Sequence, residues 1–193
     1  MQKISKESLA YIIGIALGDG NLSNPNGRAT RLRVTCDAKY PNLAKGIILT
    51  LQEIFPKNKV SVVYIPNKST YFNISVYSNR LNEYMPWKVG CGSKLSQHAR
   101  VPIWIRTHKR YSKPCLRGLL QTDGSIYQDR GYLMINFTNH TKELSCDVLH
   151  MLQLNGFHPT LSKTSAKNGG YKYCVRIARD TNKLIQVLKL SKS

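Results

Sequence analysis

Acidic residues are scarce in this sequence. Its 193 residues include 10 Asp and Glu but 29 Lys and Arg, which gives a formal net charge of +19. An excess of this size indicates a polyanionic partner, and nucleic acid is the usual one. Because charged residues make up only 20% of the chain and hydrophobic residues 41%, the composition predicts a folded basic protein with a core rather than a low-complexity tail.

Paired cysteines and long apolar runs are missing as well. The five cysteines are odd in number and form no Cys-x-x-Cys pair, which argues against a disulfide framework or a zinc site. We therefore expect a reducing intracellular compartment: the cytoplasm, or an organelle interior if the gene is in an organelle genome. The apolar stretch from Leu9 to Gly18 is too short to span a bilayer and has no cleavage pattern. We expect neither membrane residence nor a signal peptide.

One motif occurs twice in the chain. Residues 12–20 read Ile-Ile-Gly-Ile-Ala-Leu-Gly-Asp-Gly, and residues 116–124 read Leu-Arg-Gly-Leu-Leu-Gln-Thr-Asp-Gly. The internal glycine, the aspartate and the final glycine of the two copies each lie 104 residues apart. A single Asp-Gly after an apolar run is most often a turn. Two Asp-Gly pairs at the same place in a repeated motif instead predict a pair of helices, one ending on Asp19 and the other on Asp123.

The repeat extends along the chain. After each Asp-Gly the pattern predicts two strands, a helix, a second hairpin and a short closing helix. We therefore predict an α+β fold with a pseudo-two-fold repeat of αββαββα halves, each with an antiparallel sheet. The predicted division is an N-terminal half over 1–99, a linker over 100–113 and a C-terminal half over 114–193.

The predicted strands have two different faces. Arg31, Arg33 and Thr35 alternate with apolar residues, and similar alternation is found near 71–77 and 171–177. A polar sheet face is often simply solvated. Basic and tyrosine-rich faces in both halves nevertheless favour a saddle that binds nucleic acid.

Small residues recur at helical spacing in both motifs. Gly14 and Gly18 are four residues apart, as are Gly118 and Thr122, and this spacing lets two helices approach closely. If these helices pack together, their aspartates emerge at neighbouring ends, where each helix C-terminus carries partial negative charge. Two carboxylates in that position need a cation, and Mg²⁺ suits them.

The two segments resemble the paired motifs of the LAGLIDADG homing endonucleases, and the repeat resembles the compact monomeric two-motif branch of that family. The resemblance implies that a curved sheet in each half contacts the major groove of double-stranded DNA, without a protein partner. It also implies that the chain cleaves both strands of a long asymmetric target, leaving short 3′ overhangs. The implied metal site is formed by Asp19 and Asp123, with Gly18 and Thr122 beside them. Mg²⁺ is the implied cofactor, with Mn²⁺ as a substitute and Ca²⁺ binding without cleavage.

The resemblance also implies basic residues near the metals. Lys39 and His140 follow the second strand of each half, and Lys94 follows the closing helix of the first half. In the second half only Lys189 or Lys192 remains for the role of Lys94, so catalysis is expected to differ between the two DNA strands. Each lysine is equally well explained as a phosphate contact, and His140 as a structural residue.

The predicted DNA contacts are polar and aromatic side chains on the strands and in their loops. Arginine suits guanine edges, whereas asparagine and glutamine suit adenine. The predicted contacts are Asn21, Ser23, Arg28, Arg31, Arg33, Thr35, Tyr71, Asn73, Ser75, Tyr77, Ser125, Tyr127, Gln128, Arg130, Asn136, Thr138, Lys163, Lys172 and Arg176.

Two alternatives stay open. The first is a cleavage-inactive LAGLIDADG nucleic-acid-binding protein, either an RNA maturase or a DNA-binding regulator. The second is a basic structural protein of a ribonucleoprotein, which would bind RNA and leave strands intact in Mg²⁺.

Overall fold

A computed structural model describes residues 4–65, 68–166 and 169–190. In the first half the elements are α1 (Lys6–Asp19), β1 (Gly20–Ser23), β2 (Arg31–Asp37), α2 (Pro41–Ile54), β3 (Val60–Ile65), β4 (Lys68–Tyr77) and α3 (Leu81–Tyr84). After these come α4 (Ile103–Arg106), α5 (Lys109–Thr122), β5 (Gly124–Asp129), β6 (Tyr132–Asn139), α6 (Lys142–Leu154), β7 (Thr160–Ser165), β8 (Tyr171–Ile177) and α7 (Thr181–Leu188). Apart from α4, the order αββαββα occurs twice, which confirms the predicted repeat.

Each half contains one four-stranded antiparallel sheet. The strand orders are β1-β2-β4-β3 and β5-β6-β8-β7, so the two sheets have the same topology. The glycine after each aspartate begins a sheet, since Gly20 pairs with Val34 and Gly124 pairs with Phe137. The pseudo-two-fold arrangement therefore extends to the register of the strands.

Helices α1 and α5 pack against each other at the centre of the molecule. Every residue of α1 from Ala10 to Leu17 is buried, as expected of a helix that is apolar on all sides. A Cβ atom on Gly14 would lie 2.3 Å from the carbonyl oxygen of Cys115, and one on Gly118 would lie 2.6 Å from that of Tyr11. Only glycine leaves room for backbones at this distance, so the predicted close approach of the two helices is confirmed.

The strands bury their apolar face against the helices. Leu32 and Val34 of β2 are buried, as are Val175 and Ile177 of β8. The alternation predicted for these strands is thereby confirmed. The buried side chains of both halves form one continuous hydrophobic cluster.

The region between the halves is partly helical. Both α4 and the first residues of α5 lie within the range 100–113 that was predicted as a linker. The division into two domains stays a prediction. No helix in the described part of the chain is long and apolar enough to cross a membrane.

Candidate metal and nucleic-acid site

The two aspartates lie at adjacent helix ends. Asp19 is the last residue of α1, and Asp123 directly follows α5. A Cβ atom on Gly18 would lie 2.0 Å from Oγ1 of Thr122, so the last turns of the two helices are in contact. Both chain segments therefore leave the helix pair at the same end.

Each aspartate lines a cavity that also contains the end of the other helix. A cavity of about 370 Å³ contains Asp123 together with Leu17 and Gly18 of α1. A second cavity of about 160 Å³ contains Asp19 together with Gln121 and Thr122 of α5. This crossed arrangement places both carboxylates at the junction of the two halves.

Lys94 binds the C-terminal end of α1. Its Nζ atom donates to the carbonyl oxygens of Ala16, Leu17 and Gly18 at 3.1, 2.7 and 2.5 Å. These are among the last carbonyls of the helix, where partial negative charge accumulates. Burial lowers the pKa of Lys94 to about 8, although the carboxylates of Asp123 and Asp19 act in the opposite direction. Lys94 thus provides a positive charge beside both acids.

Asn139 contacts Asp123 directly and was missed from the sequence. Its Nδ2 atom donates to Oδ2 of Asp123 at 2.7 Å. Cys36 is the equivalent residue of the first half, because it lies two positions after Val34, as Asn139 does after Phe137. Burial raises the pKa of the Cys36 thiol to about 12, and Asp19 contributes in the same direction. The strand position that carries the amide of Asn139 in the half of Asp123 therefore carries the thiol of Cys36 in the half of Asp19.

Of the other two predicted basic residues, His140 lines a cavity and Lys39 does not. Lys39 is exposed and pairs with Asp37 at 3.3 Å. Hydrogen bonding to Tyr40 and to Asp37 raises its pKa. His140 lines the cavity of Asp123, and its Nδ1 lies 3.1 Å from the carbonyl oxygen of Tyr171. Their catalytic roles stay predictions.

Lys189 does not line the same cavity as Asp19. It follows α7 and lines a separate space of about 190 Å³ with Tyr11, Arg117 and Gln121. Lys192 lies outside the described residues. The two candidate lysines of the second half therefore stay unassigned, whereas Lys94 is placed at a helix end.

The first sheet presents the predicted polar face. Arg31 donates through Nε to Oγ of Ser23 at 3.1 Å, and Thr35 donates to Oδ1 of Asn73 at 3.0 Å. Nε of Arg33 is buried and has no hydrogen-bond partner within the described residues. Of the DNA contacts predicted on this sheet and its loops, those that are exposed are Asn21, Arg28, Thr35, Tyr71 and Tyr77.

Ser75 is buried, unlike the exposed residues of this sheet. It is only 6% exposed. The reason is its position on the interior strand β4, where Arg33 of β2 and Ser61 of β3 lie on either side of it. Its side chain is therefore not open to solvent.

The second sheet has an equivalent polar face. Asn136 pairs with Ser125 on one side and with Arg176 on the other, and its Nδ2 donates to the hydroxyl of Tyr127 at 2.8 Å. Nζ of Lys163 lies 3.3 Å from the ring centre of Tyr171. The predicted contacts on this sheet that are exposed are Ser125, Gln128, Arg130, Thr138, Lys163, Lys172 and Arg176. Contacts with DNA stay predictions in both halves.

The donor atoms at the helix ends fit a hard cation. Over residues 4–65, 68–166 and 169–190, no three His, Cys, Asp or Glu side chains form a metal-binding group. What the site offers is two carboxylates and backbone carbonyl oxygens. Mg²⁺ is commonly held by one or two carboxylates together with water and substrate phosphates, whereas zinc sites are built mainly from three or four Cys and His ligands. The residues present fit Mg²⁺.

The fold and the paired helix ends define a chain with two similar αββαββα halves, each of which ends its first helix at an aspartate. Residues 113–188 match the family model described as a LAGLIDADG-like domain. No curated protein sequence matches the chain.

Solved structures match over nearly the full length. The structure of I-DmoI in complex with DNA and Ca has a TM-score of 0.68 at 21% identity, covering 96% of this chain and 91% of that chain. The complex of I-DmoI with DNA and Mn has a TM-score of 0.67 at 23% identity, covering 96% and 98%. The N-terminal LAGLIDADG domain of DUF199/WhiA has a TM-score of 0.62 at 13% identity, covering 98% and 87%. The predicted resemblance is confirmed: residues 113–188 match the LAGLIDADG-like family model, and the whole chain has the same fold as the homing endonuclease I-DmoI.

Proposed function

We propose that this chain is a site-specific endonuclease that cleaves both strands of a long asymmetric DNA duplex with Mg²⁺ and leaves short 3′ overhangs. One observation carries the proposal: the backbone contact between α1 and α5, which brings Asp19 and Asp123 to one end beside Lys94. The solved I-DmoI complexes contain DNA with Ca, Mn or Mg. Those structures support a duplex partner and a divalent metal.

The residues at the helix ends have separate roles in this proposal. Asp19 and Asp123 would hold the metal, with Gly18 and Thr122 beside them. Bound Mg²⁺ supplies activation of water and stabilisation of the charge on the attacked phosphate. Asn139 orients the carboxylate of Asp123 through its hydrogen bond. Lys94 contributes a preorganised positive charge near the scissile phosphate.

The polar faces of the two sheets would provide specificity. The chain carries 29 Lys and Arg against 10 acids, and phosphate contacts supply most of the affinity of such proteins for DNA. Base discrimination would come from the arginines and asparagines on the strands, such as Arg33 and Asn136. We expect a monomer to bind the whole target, since one chain contains both halves.

The test is cleavage of sites selected from a randomised duplex library in Mg²⁺, with Ca²⁺ as the non-cleaving control. Asp19→Asn and Asp123→Asn should each lower the cleavage rate by about 100-fold or more while DNA binding is retained. Asp180→Asn is the matched control, because Asp180 is exposed at the start of α7 in a left-handed conformation that asparagine tolerates. Retained cleavage by both helix-end variants would refute the proposal.

The alternative is a binding protein that does not cleave. It is favoured by the position of Lys94, whose ammonium already compensates negative charge at the end of α1 without a metal. Sequence-specific binding without nicking of plasmid libraries in Mg²⁺ or Mn²⁺ would establish this alternative.

A further inference from the structure

Lys94 belongs to the segment that connects the two halves. This connecting segment, residues 88–106, begins shortly after α3 and ends with α4. It carries Lys94 to the end of α1 in the first half. Its far end lies against α6 in the second half. The position of the Lys94 ammonium therefore depends on how the segment is held.

A buried carboxylate on α6 holds the far end of the segment. Asp147 is 2% exposed and accepts hydrogen bonds from Arg100 through Nε at 3.2 Å and Nη2 at 2.6 Å. It also accepts from the backbone N–H of Val101 at 2.9 Å and from Arg106 at 3.3 Å. One turn before Asp147, Glu143 lies 3.1 Å from Nδ1 of His98. Four hydrogen bonds to a buried acid form a strong attachment, because removing them leaves the charge uncompensated.

A second side chain closes the loop around Lys94. Gln97 donates through Nε2 to the carbonyl oxygens of Lys88 and Gly92, both at 3.0 Å. Its Oε1 accepts from the backbone N–H of Lys88 at 2.8 Å. The N–H of Ala99 donates to the carbonyl oxygen of Lys94 itself at 2.9 Å. These bonds join the chain before Lys94 to the chain after it.

Comparison of the two halves shows that the fold does not require the acids on α6. Asn42 and Gly46 of α2 lie 101 residues before Glu143 and Asp147. Helix α2 forms at the equivalent place without them, and both residues line the open cavity of about 190 Å³ beside α5. The acids are present on α6, which contacts the connecting segment, and absent at the equivalent positions of α2. Their function is therefore linked to the segment.

We propose that Asp147 and Gln97 are positioning residues for Lys94. Asp147 fixes the connecting segment to α6, Gln97 closes the loop, and together they hold the Lys94 ammonium at the end of α1. A helix of the second half thus sets the position of a charged group at the helix end of the first. The consequence for catalysis rests on the proposed endonuclease function.

The test of this consequence is a double-mutant cycle on the DNA cleavage rate. Lys94→Met should lower the single-turnover rate by about 100-fold and Gln97→Ala by about 10-fold. In the Lys94→Met background, Gln97→Ala should change the rate by less than about 2-fold, since the group it positions is gone. Gln153→Ala, the same substitution at an exposed residue of α6, should cleave as the wild type does. Equal losses from Gln97→Ala in both backgrounds would overturn the positioning role.

A second measurement does not depend on cleavage. In the DNA-free protein, the acylation rate of Lys94 by an amine-specific ester can be followed by peptide mass spectrometry. Gln97→Ala and Asp147→Asn should raise it by about 3-fold or more, because the loop opens more often. Thermal unfolding shows whether each variant folds. If Asp147→Asn does not fold, the test relies on Gln97→Ala alone. An unchanged rate in folded Gln97→Ala overturns the inference even if the wild type cleaves DNA. Absence of wild-type cleavage refutes only the proposed function.

Discussion

The two aspartates differ in their immediate neighbours. Asp123 accepts a hydrogen bond from Asn139, whereas Cys36 occupies the equivalent strand position near Asp19. Lys94 binds carbonyls of α1. Single residues therefore make the two halves chemically distinct even though their backbones repeat.

Tyr11 allows a pH-dependent prediction at this scale. Its side chain is 4% exposed and donates to Oε1 of Gln121 at 3.0 Å. Burial raises the pKa of Tyr11 to about 12, although the guanidinium of Arg117 acts in the opposite direction. Above pH 10 the unfolded chain therefore loses the tyrosine proton while the folded protein retains it, so stability falls as the pH rises.

The expected result is a difference between wild type and Tyr11→Phe that depends on pH. Relative to Tyr11→Phe, the wild type should lose about 1.5 kcal/mol of unfolding free energy between pH 10 and pH 11.5. Urea unfolding at closely spaced pH values measures both proteins, and below pH 9 their difference should be constant. A difference that stays constant up to pH 11.5 would contradict the burial of the hydroxyl.

The residues of the site were predictable to different degrees. Asp19 and Asp123 follow from a repeated motif, and Lys94 from the resemblance to a family. Asn139 was missed because its contact with Asp123 is set by the register of β6 against β5. No motif in the sequence marks that register.

At the scale of elements, the contact between α1 and α5 makes a sharp prediction. Gly14→Ala would place a Cβ atom 2.3 Å from a backbone carbonyl oxygen of α5, and backbone cannot move aside as a flexible side chain can. We expect a loss of about 3 kcal/mol of stability and a loss of cleavage, because the helix ends would separate.

Gly46→Ala is the matched control for this prediction. Gly46 also lies inside a helix, but nothing lies within 4 Å of a Cβ atom added there. The substitution should stabilise the protein by about 0.5–1 kcal/mol, the difference in helix propensity between alanine and glycine. Urea unfolding compares the two variants, and similar effects from both would contradict the close helix packing.

The sheet faces give a prediction for DNA recognition. Nε of Arg33 has no hydrogen-bond partner within the described residues, and Arg33 lies on the polar face of β2. If it reads a guanine, Arg33→Ala should weaken binding to the selected target by about 1–3 kcal/mol and relax specificity at one base pair. Competition binding against singly substituted duplexes measures both effects.

The control for Arg33 is another arginine away from the sheet face. Arg179 is exposed just before α7, so Arg179→Ala should leave the ranking of the duplexes unchanged. If Arg33→Ala weakens binding to every duplex equally, the side chain contacts phosphate rather than a base.

The elements themselves were largely predictable, and the connection between the halves was not. Alternating and helical patterns indicated the strands and helices in their correct order. By contrast, α5 begins at Lys109, where the basic residues and Pro114 conceal the helical pattern. The bonds from Arg100 and Arg106 to Asp147 join a connecting segment to a distant helix. Such long-range pairs leave no periodic signal in the sequence.

At the scale of the whole molecule, the pseudo-two-fold repeat is exact in topology but unequal in charge. The connecting segment brings a lysine to the end of α1. The candidate that follows α7, Lys189, lines a cavity that Asp19 does not line. The two halves would therefore present different charges to the two DNA strands.

This inequality predicts that the two strands of a target are cut at different rates. Lys94 lies in the same cavity as Asp123, so Lys94→Met should slow the strand whose phosphate lies there by about 10-fold more than the other strand. A duplex labelled differently on each strand measures both rates in one reaction, and a singly nicked intermediate should accumulate. Lys189→Met should produce a much smaller difference between the strands, because Lys189 lies outside both cavities that contain an aspartate. Equal slowing of the two strands by Lys94→Met would mean that its ammonium serves both phosphates, and the two halves would then share one charge.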